Sequence, residues 1–398
     1  MVKEQKRGRR RKGLIFIPFL TLLLSVLYYM YSFKWGGGVS TFVPAVLIWP
    51  FVVLIGFTIY ITKFFKRNFL LDAGALLAFY TMLVTALTPS SSMFSLLSSL
   101  IYVLLWASLL FVFFHYTFHQ EIPRGFTKSL WLGIPLTVFF FVEQVNFNAT
   151  EINIKTLNPI FYLLFFVPFI FLEKRKLPRY IGLGLVFFCI LLSNKRTALF
   201  AFLLVILYVV FTSFKSTKKT VNNIVKMFCG ITFGVLALLL LYSYTMSQYT
   251  NIDWLDRILA ISETGGGGRT VRWSQFFIDM NKANVLQMFF GHGNVALYYH
   301  NDLMQIIYNY GIIGGCIYTA FCVSLLVLAR KMNKSNYRYR IAYIASLIIF
   351  FCSSSVEQVI VVHTWFLQMA VFWGIVIGDY YREINEKKEE KAWQVLNP

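Results

Sequence analysis

The sequence predicts an all-α polytopic membrane protein of about twelve transmembrane helices, with one large external loop between spans nine and ten. Three observations predict it. Of 398 residues, 58% are hydrophobic and 14% charged, with mean hydropathy +0.64. Soluble domains average about 45–50% apolar and about 25% charged. Apolar runs of about 18 or more residues recur, each long enough as a helix to cross roughly 30 Å of hydrocarbon, and helices satisfy their own backbone groups there. Finally, the basic residues alternate from one side of the expected membrane to the other.

The expected spans lie near 14–33, 41–62, 69–87, 94–114, 129–145, 159–172, 180–193, 197–214, 227–245, 303–329, 341–356 and 359–378. With this division, 29 of the 37 Lys and Arg residues fall on one side. The other side keeps Lys34, Lys155, Lys195, Arg196, Arg257, Arg269, Arg272 and Lys282. Positive charge concentrates on cytoplasmic loops, so both termini are expected inside and residues 246–302 outside. The net charge of +20 therefore reflects topology and does not indicate nucleic-acid binding. Cys189, Cys229, Cys316, Cys322 and Cys352 all fall in apolar segments, so no disulfide framework is expected. The resulting division is a basic tail (1–13), spans one to nine (14–245), the external loop (246–302), spans ten to twelve (303–378) and a cytoplasmic tail (379–398).

The run Lys6 to Lys12 precedes a span of about 20 residues without a small-residue cleavage site, which reads as an uncleaved first helix. Asp72, near the inner end of span three, reads as interfacial. His115 and His119 read as solvated residues of a cytoplasmic loop. Glu143 and Gln144 end span five, and Asn148-Ala149-Thr150 is a chance match to a glycosylation acceptor. Residues 180–214 must cross twice in 35 residues. Such helices reach ~52 Å together, against ~60 Å for two perpendicular crossings, so the tip Ser193-Asn194-Lys195-Arg196 should be recessed. An arginine held below the surface needs an anionic partner, which marks Arg196 as functional by default.

The external loop is the one long polar segment outside the tails. Gly265 to Gly268 permit unusual backbone angles or close approach to a ligand. They run directly into Arg269, Arg272 and Trp273, and guanidinium forks hold phosphates bidentately. Tyr249, Asn251, Trp254, Asn294, Tyr298 and Tyr299 enrich the loop in groups that stack on sugars or sit in an interfacial belt. His300-Asn301 stands at the mouth of a run of about 27 residues, ~40 Å as a helix, which must project or bend. Gly311 and Gly314 offer the bend or a close helix contact. Histidine suits proton transfer near neutral pH, which makes His300 a candidate base. A zinc site from His292, His300 and Asp302 has poor spacing and too few ligands.

Three of these segments resemble the O-antigen polymerase/ligase family of bacterial envelope enzymes. Ser193-Asn194-Lys195-Arg196-Thr197-Ala198 is similar to that family's Ser-x-Ser-Arg-Thr-Ala turn, with Lys195 in place of the second serine. Gly268-Arg269 followed by Arg272-Trp273 resembles its Gly-Arg…Trp element. His300-Asn301, nine residues, then Gly311-Ile312-Ile313-Gly314 matches its His-Asn-(nine)-Gly-x-x-Gly signature, and Gly291-His292-Gly293 resembles its Gly-x-Gly turn. The detailed resemblance covers about 193–330.

The resemblance implies a metal-independent, cofactor-free glycosyltransferase of GT-C-like fold in the bacterial cytoplasmic membrane, active on the extracytoplasmic face. It would polymerise repeat units of a capsular, O-antigen or exopolysaccharide type. The undecaprenyl-diphosphate-linked glycan would be donor and acceptor, the lipid bilayer the setting, and flippase and chain-length regulator proteins the partners. Arg196 and Arg269 would hold the leaving diphosphate and His300 would be the general base. Lys195, Arg272, Trp273, His292, Asn301, Gly311 and Gly314 would shape the substrate site. A ligase moving the finished glycan elsewhere would use the same residues. A transporter of the same lipid would place ionisable groups near the midplane and show repeated halves, neither of which the sequence has. A structural scaffold would leave the Arg/His constellation without a purpose.

Overall fold

A computed structural model describes residues 43–66, 68–88, 93–120, 160–193, 195–216, 269–293, 299–360 and 363–396. The expected spans 14–33, 129–145 and 227–245 lie outside the described residues. So do the N-terminal basic run, Glu143, Gln144, the Asn148 acceptor pattern, Asn194, Tyr249, Asn251, Trp254, Gly265 to Gly268, Asn294 and Tyr298.

Among the described residues every regular element is a helix. They are α1 (Val43–Ile59, ending in a π-helical turn, Tyr60–Phe64), α2 (Phe69–Leu87), α3 (Met93–His119), α4 (Ile160–Leu164), α5 (Val167–Ile170) and α6 (Lys176–Leu192), followed by α7 (Arg196–Ser216), α8 (Arg269–Lys282), α9 (Val285–Phe290), α10 (Asp302–Lys334), α11 (Arg340–Ser354) and α12 (His363–Leu396). Three stretches among the described residues are long and apolar enough to cross a membrane: Phe69–Leu87, Ser99–His119 and Asp302–Lys334.

Local chemistry explains the helix ends. Asn68 caps α2 by accepting from the backbone N–H of Leu70 and Leu71 at 3.1 and 3.4 Å. Asp72 in the first turn accepts from the Tyr60 hydroxyl at 2.7 Å and from the Lys66 N–H at 3.2 Å. It is thus tied into the α1–α2 corner, not merely interfacial. His115 and His119 lie in the last turns of α3, not in a loop, with ring centroids 4.6 Å apart. The expected span 159–172 is two short buried helices. Pro168 cannot donate an N–H and its ring clashes with the carbonyl four residues back, so the helix breaks after Leu164.

The last helix differs most from expectation. It begins at His363 and runs unbroken to Leu396, so the expected tail 379–398 is largely helical. Arg382 pairs with Asp379 at 2.5 Å and with Glu386 at 2.8 Å, one turn to either side, and such pairs extend a helix beyond the bilayer. The same Asp379, fully buried, accepts from the Tyr337 hydroxyl at 2.7 Å and from the Arg338 guanidinium at 2.7 and 2.8 Å. This knot closes the expected cytoplasmic end.

Helix α12 packs along α3, α1 and α2 flank α3, and α10 lies against α2. At the centre Trp373 is fully buried among Phe321, Phe350 and Phe366, and its indole N–H donates to the Ser346 hydroxyl at 2.8 Å.

Candidate functional site

At the end of the bundle opposite Asp379, the α6–α7 turn, the start of α8, the start of α10 and the α11–α12 connection meet. Glu357, in that last connection, joins them. Its carboxylate accepts from the Lys195 ammonium at 2.9 Å and from the Arg269 guanidinium at 3.1 Å, both on one oxygen. The other oxygen lies 3.4 Å from Nδ1 of His300. Arg269 also donates through Nε to the Val356 carbonyl at 3.1 Å, which fixes the plane of its fork.

Two cations share one carboxylate, so the centre carries one positive charge in excess. Side-chain exposure is 9% for Glu357, 13% for Lys195 and 24% for Arg269, against 43% for His300. The ion pairs are therefore mostly dry, and the imidazole reaches the open side. Burial alone would push the Glu357 carboxyl up. The contact with His300 and the charges of Lys195 and Arg269 outweigh it and bring it down to about 2.

The supporting framework is polar and buried. Asn301 caps α10, its side-chain oxygen accepting from the Met304 N–H at 3.0 Å. Its amide donates to the Ser355 carbonyl at 3.0 Å. Asp302, fully buried, accepts from the Ser354 hydroxyl and the Ile360 N–H. Gln358 donates to Gln305, which donates to Asn309 at 2.8 Å and accepts from the Tyr299 N–H at 3.3 Å. The loop that presents Glu357 is thus clamped to the first turns of α10. His300 itself has φ +52, a left-handed conformation costing about 1–2 kcal/mol for a residue with a Cβ. Such strain persists where neighbours over-determine it, and it clusters at functional sites. Here the buried Tyr299, hydrogen-bonded to Asp279 at 2.8 Å, and the Asn301 cap hold it from both sides.

The bend in α10 is where the sequence puts it. Gly311 has φ +69 and breaks the helix in two. A Cβ there would collide with the Phe289 carbonyl, and one at Gly291 (φ +84) would collide with the Asn309 carbonyl, so kink and turn interlock backbone to backbone. His292 stacks flat on Tyr308, centroids 4.2 Å apart, while its N–H donates to the Tyr308 carbonyl at 2.9 Å. Gly314 packs under Tyr80, whose hydroxyl donates to the Tyr310 carbonyl at 2.9 Å.

Of the expected site residues, Lys195, Arg269 and His300 meet at Glu357. Asn301 braces the site as a cap and clamp, His292 and Gly311 build the α9–α10 junction, and Gly314 packs α10 against Tyr80 of α2. Arg196 opens α7 next to Lys195. Arg272 is exposed on α8, and the neighbouring Trp273 keeps its buried indole N–H without a hydrogen-bond partner. The hairpin is less short than expected, because α6 begins at Lys176. Seventeen and twenty-one residues reach ~57 Å. The recess that two perpendicular crossings of ~60 Å would require is correspondingly smaller. Among the described residues no group of three or more His, Cys, Asp or Glu is placed to hold a metal ion. Asp302 is turned to Ser354 and Ile360, and His292 to Tyr308.

Glu357 is the residue that sequence reasoning missed. A signal for it existed: a recessed cation demands an anionic partner, and Glu357 is the carboxylate between the last two expected spans, after Ser353-Ser354-Ser355.

Fold and site together define a class: a helical protein with helices able to cross a membrane and a mostly buried cation–carboxylate centre at one end of the bundle. No protein-family model matches the chain, and no curated protein matches it.

Proposed function

We propose that this protein is a polysaccharide polymerase, a membrane glycosyltransferase that joins undecaprenyl-diphosphate-linked repeat units at the outer face of the bacterial cytoplasmic membrane. The observation that carries the reading is the convergence of Lys195, Arg269 and His300 on Glu357. These side chains come from three segments whose motifs resemble the O-antigen polymerase/ligase family. The proposed topology is the twelve-span one, with both termini inside and residues 246–302 outside.

In the proposed step an acceptor sugar hydroxyl attacks the anomeric carbon of the donor. Its proton passes to Nε2 of His300, because Nδ1 faces Glu357. The anomeric C–O bond breaks, and its electron pair leaves with the polyprenyl diphosphate. A diphosphate leaves well when its growing charge meets cations already in place. Arg196, Arg269 and Lys195 supply that charge. Fixing Nδ1 on a carboxylate holds the ring and favours the tautomer whose Nε2 is a free base.

The test is the length of lipid-linked glycan in cells carrying Arg196→Ala or His300→Ala at matched expression. Short, unextended lipid-linked units in both strains are expected. Long chains from either variant would reject the role given to that residue, and long chains from both would reject the function.

A further inference from the structure

We propose that the α8–α9 segment is an interfacial anchor whose exposed apolar face sits among the acyl chains of the leaflet on the Glu357 side. Both helices lie in the segment expected to be an external loop, yet their surface is oily. Val285 and Leu286 are 68% and 70% exposed, Phe289 and Phe290 about half. On α8, Val271, Phe277 and Ile278 are also exposed. Exposed apolar side chains gathered on one short helix in this way mark a membrane or protein contact.

Depth selects lipid. From the Gly311 kink, Ile312 to Ala329 is 18 apolar-rich residues ending at Arg330. That is ~27 Å of helix, about the thickness of the hydrocarbon. Gly311 therefore stands at one boundary of the bilayer. The interlock of Phe289 with Gly311, and of Gly291 with Asn309, pins the end of α9 at that level. The turn after α9 meets the end of α2: Gly293 packs against the Thr88 side chain. Leu83 and Leu87 on α2 and Ile312 on α10 are exposed there too. The apolar face of α9 thus continues a surface that already faces lipid. Arg269, Arg272 and Lys282 ride on α8, and apolar and basic residues together are the composition of helices that lie in the interface. Because Arg269 is the first residue of α8, the anchor sets the depth at which its guanidinium stands.

The proposal rests on the membrane character of α2 and α10 and not on the chemistry proposed above. Leu286→Cys in a full-length chain lacking the five native cysteines, labelled with an environment-sensitive fluorophore, is reconstituted alone in phosphatidylcholine/phosphatidylglycerol vesicles. The expected result is blue-shifted emission, quenched by doxyl groups on the acyl chains and insensitive to iodide. Asn281→Cys, on exposed α8 surface, should give the opposite pattern. Val285→Cys serves as a second reporter if Leu286→Cys fails to fold. Aqueous emission quenched by iodide at both reporters would overturn the proposal. So would shielding from both quenchers, which would mean that protein covers the face.

Discussion

Replacing Glu357 by glutamine keeps the size of the side chain and one carbonyl oxygen but removes the charge that Lys195 and Arg269 share. The drop of its carboxyl from 4.5 to about 2 measures how strongly the ionised form is preferred in place. At 1.36 kcal/mol for each tenfold change in proton affinity, that preference is about 3 kcal/mol. Removing one partner of a buried ion pair costs about 3–5 kcal/mol by the independent route of mutational experience. The remaining cations, 13% and 24% exposed, have little water to turn to. Glu357→Gln should therefore lower the apparent Tm in detergent and also lose glycan extension, since the one remaining oxygen cannot serve both the two cations and Nδ1 of His300. Adding Lys195→Met to Glu357→Gln removes one orphaned cation and should recover part of the Tm but not the activity. A Glu357→Gln protein with wild-type Tm and wild-type chain length would refute the argument. Loss of activity with no loss of stability would confine Glu357 to orienting the imidazole.

Further expectations follow from the same geometry. The Glu357 carboxyl is lowered on folding, so its contribution is full above pH 4.5 and fades as pH falls toward about 2. Wild-type Tm should drop more steeply than that of Glu357→Gln across that window, and parallel profiles would reject the coupling. Arg269→Lys keeps the charge but loses the fork held by Val356 and Glu357. A loss of ~10²–10³ in extension rate is expected for a misplaced oxyanion donor, and an unchanged rate would remove Arg269 from the phosphate role. Gly311→Ala must adopt φ +69 and meet the Phe289 carbonyl. A destabilisation of at least about 1–3 kcal/mol is expected, read as a lowered Tm, and an unaltered Tm would mean that the kink relaxes freely.

Much of this organisation is legible in the sequence because the bilayer restricts the choices. Span 69–87 is bounded as α2 is, since Asn68 is a strong cap and Thr88 precedes a proline. The bend at Gly311 follows from a helix too long for the membrane. What was not legible depends on tertiary contact. The break at Pro168 was hidden inside an apolar run, and the helical tail to Leu396 depends on charge pairs one turn apart, not on hydropathy. Within the site, the motifs single out His300, Arg269 and Arg196, while Lys195 stands where the first motif is departed from. Glu357, where Lys195, Arg269 and His300 meet, lies 57 to 162 residues away along the chain, and no local pattern records such a distance. Asn301 is the reverse case: a local motif singles it out, and its visible work is to cap α10 and hold Ser355.

The most direct measurement is polyprenyl diphosphate release from a synthetic lipid-linked repeat unit by purified protein in vesicles, comparing wild type with His300→Ala. Wild type should release it as longer glycan accumulates. His300→Ala should fold, retain the donor and release it ~10²–10⁴-fold more slowly, the usual contribution of a positioned base. Equal release by the two proteins, or none by folded wild type given donor and acceptor, would contradict the account.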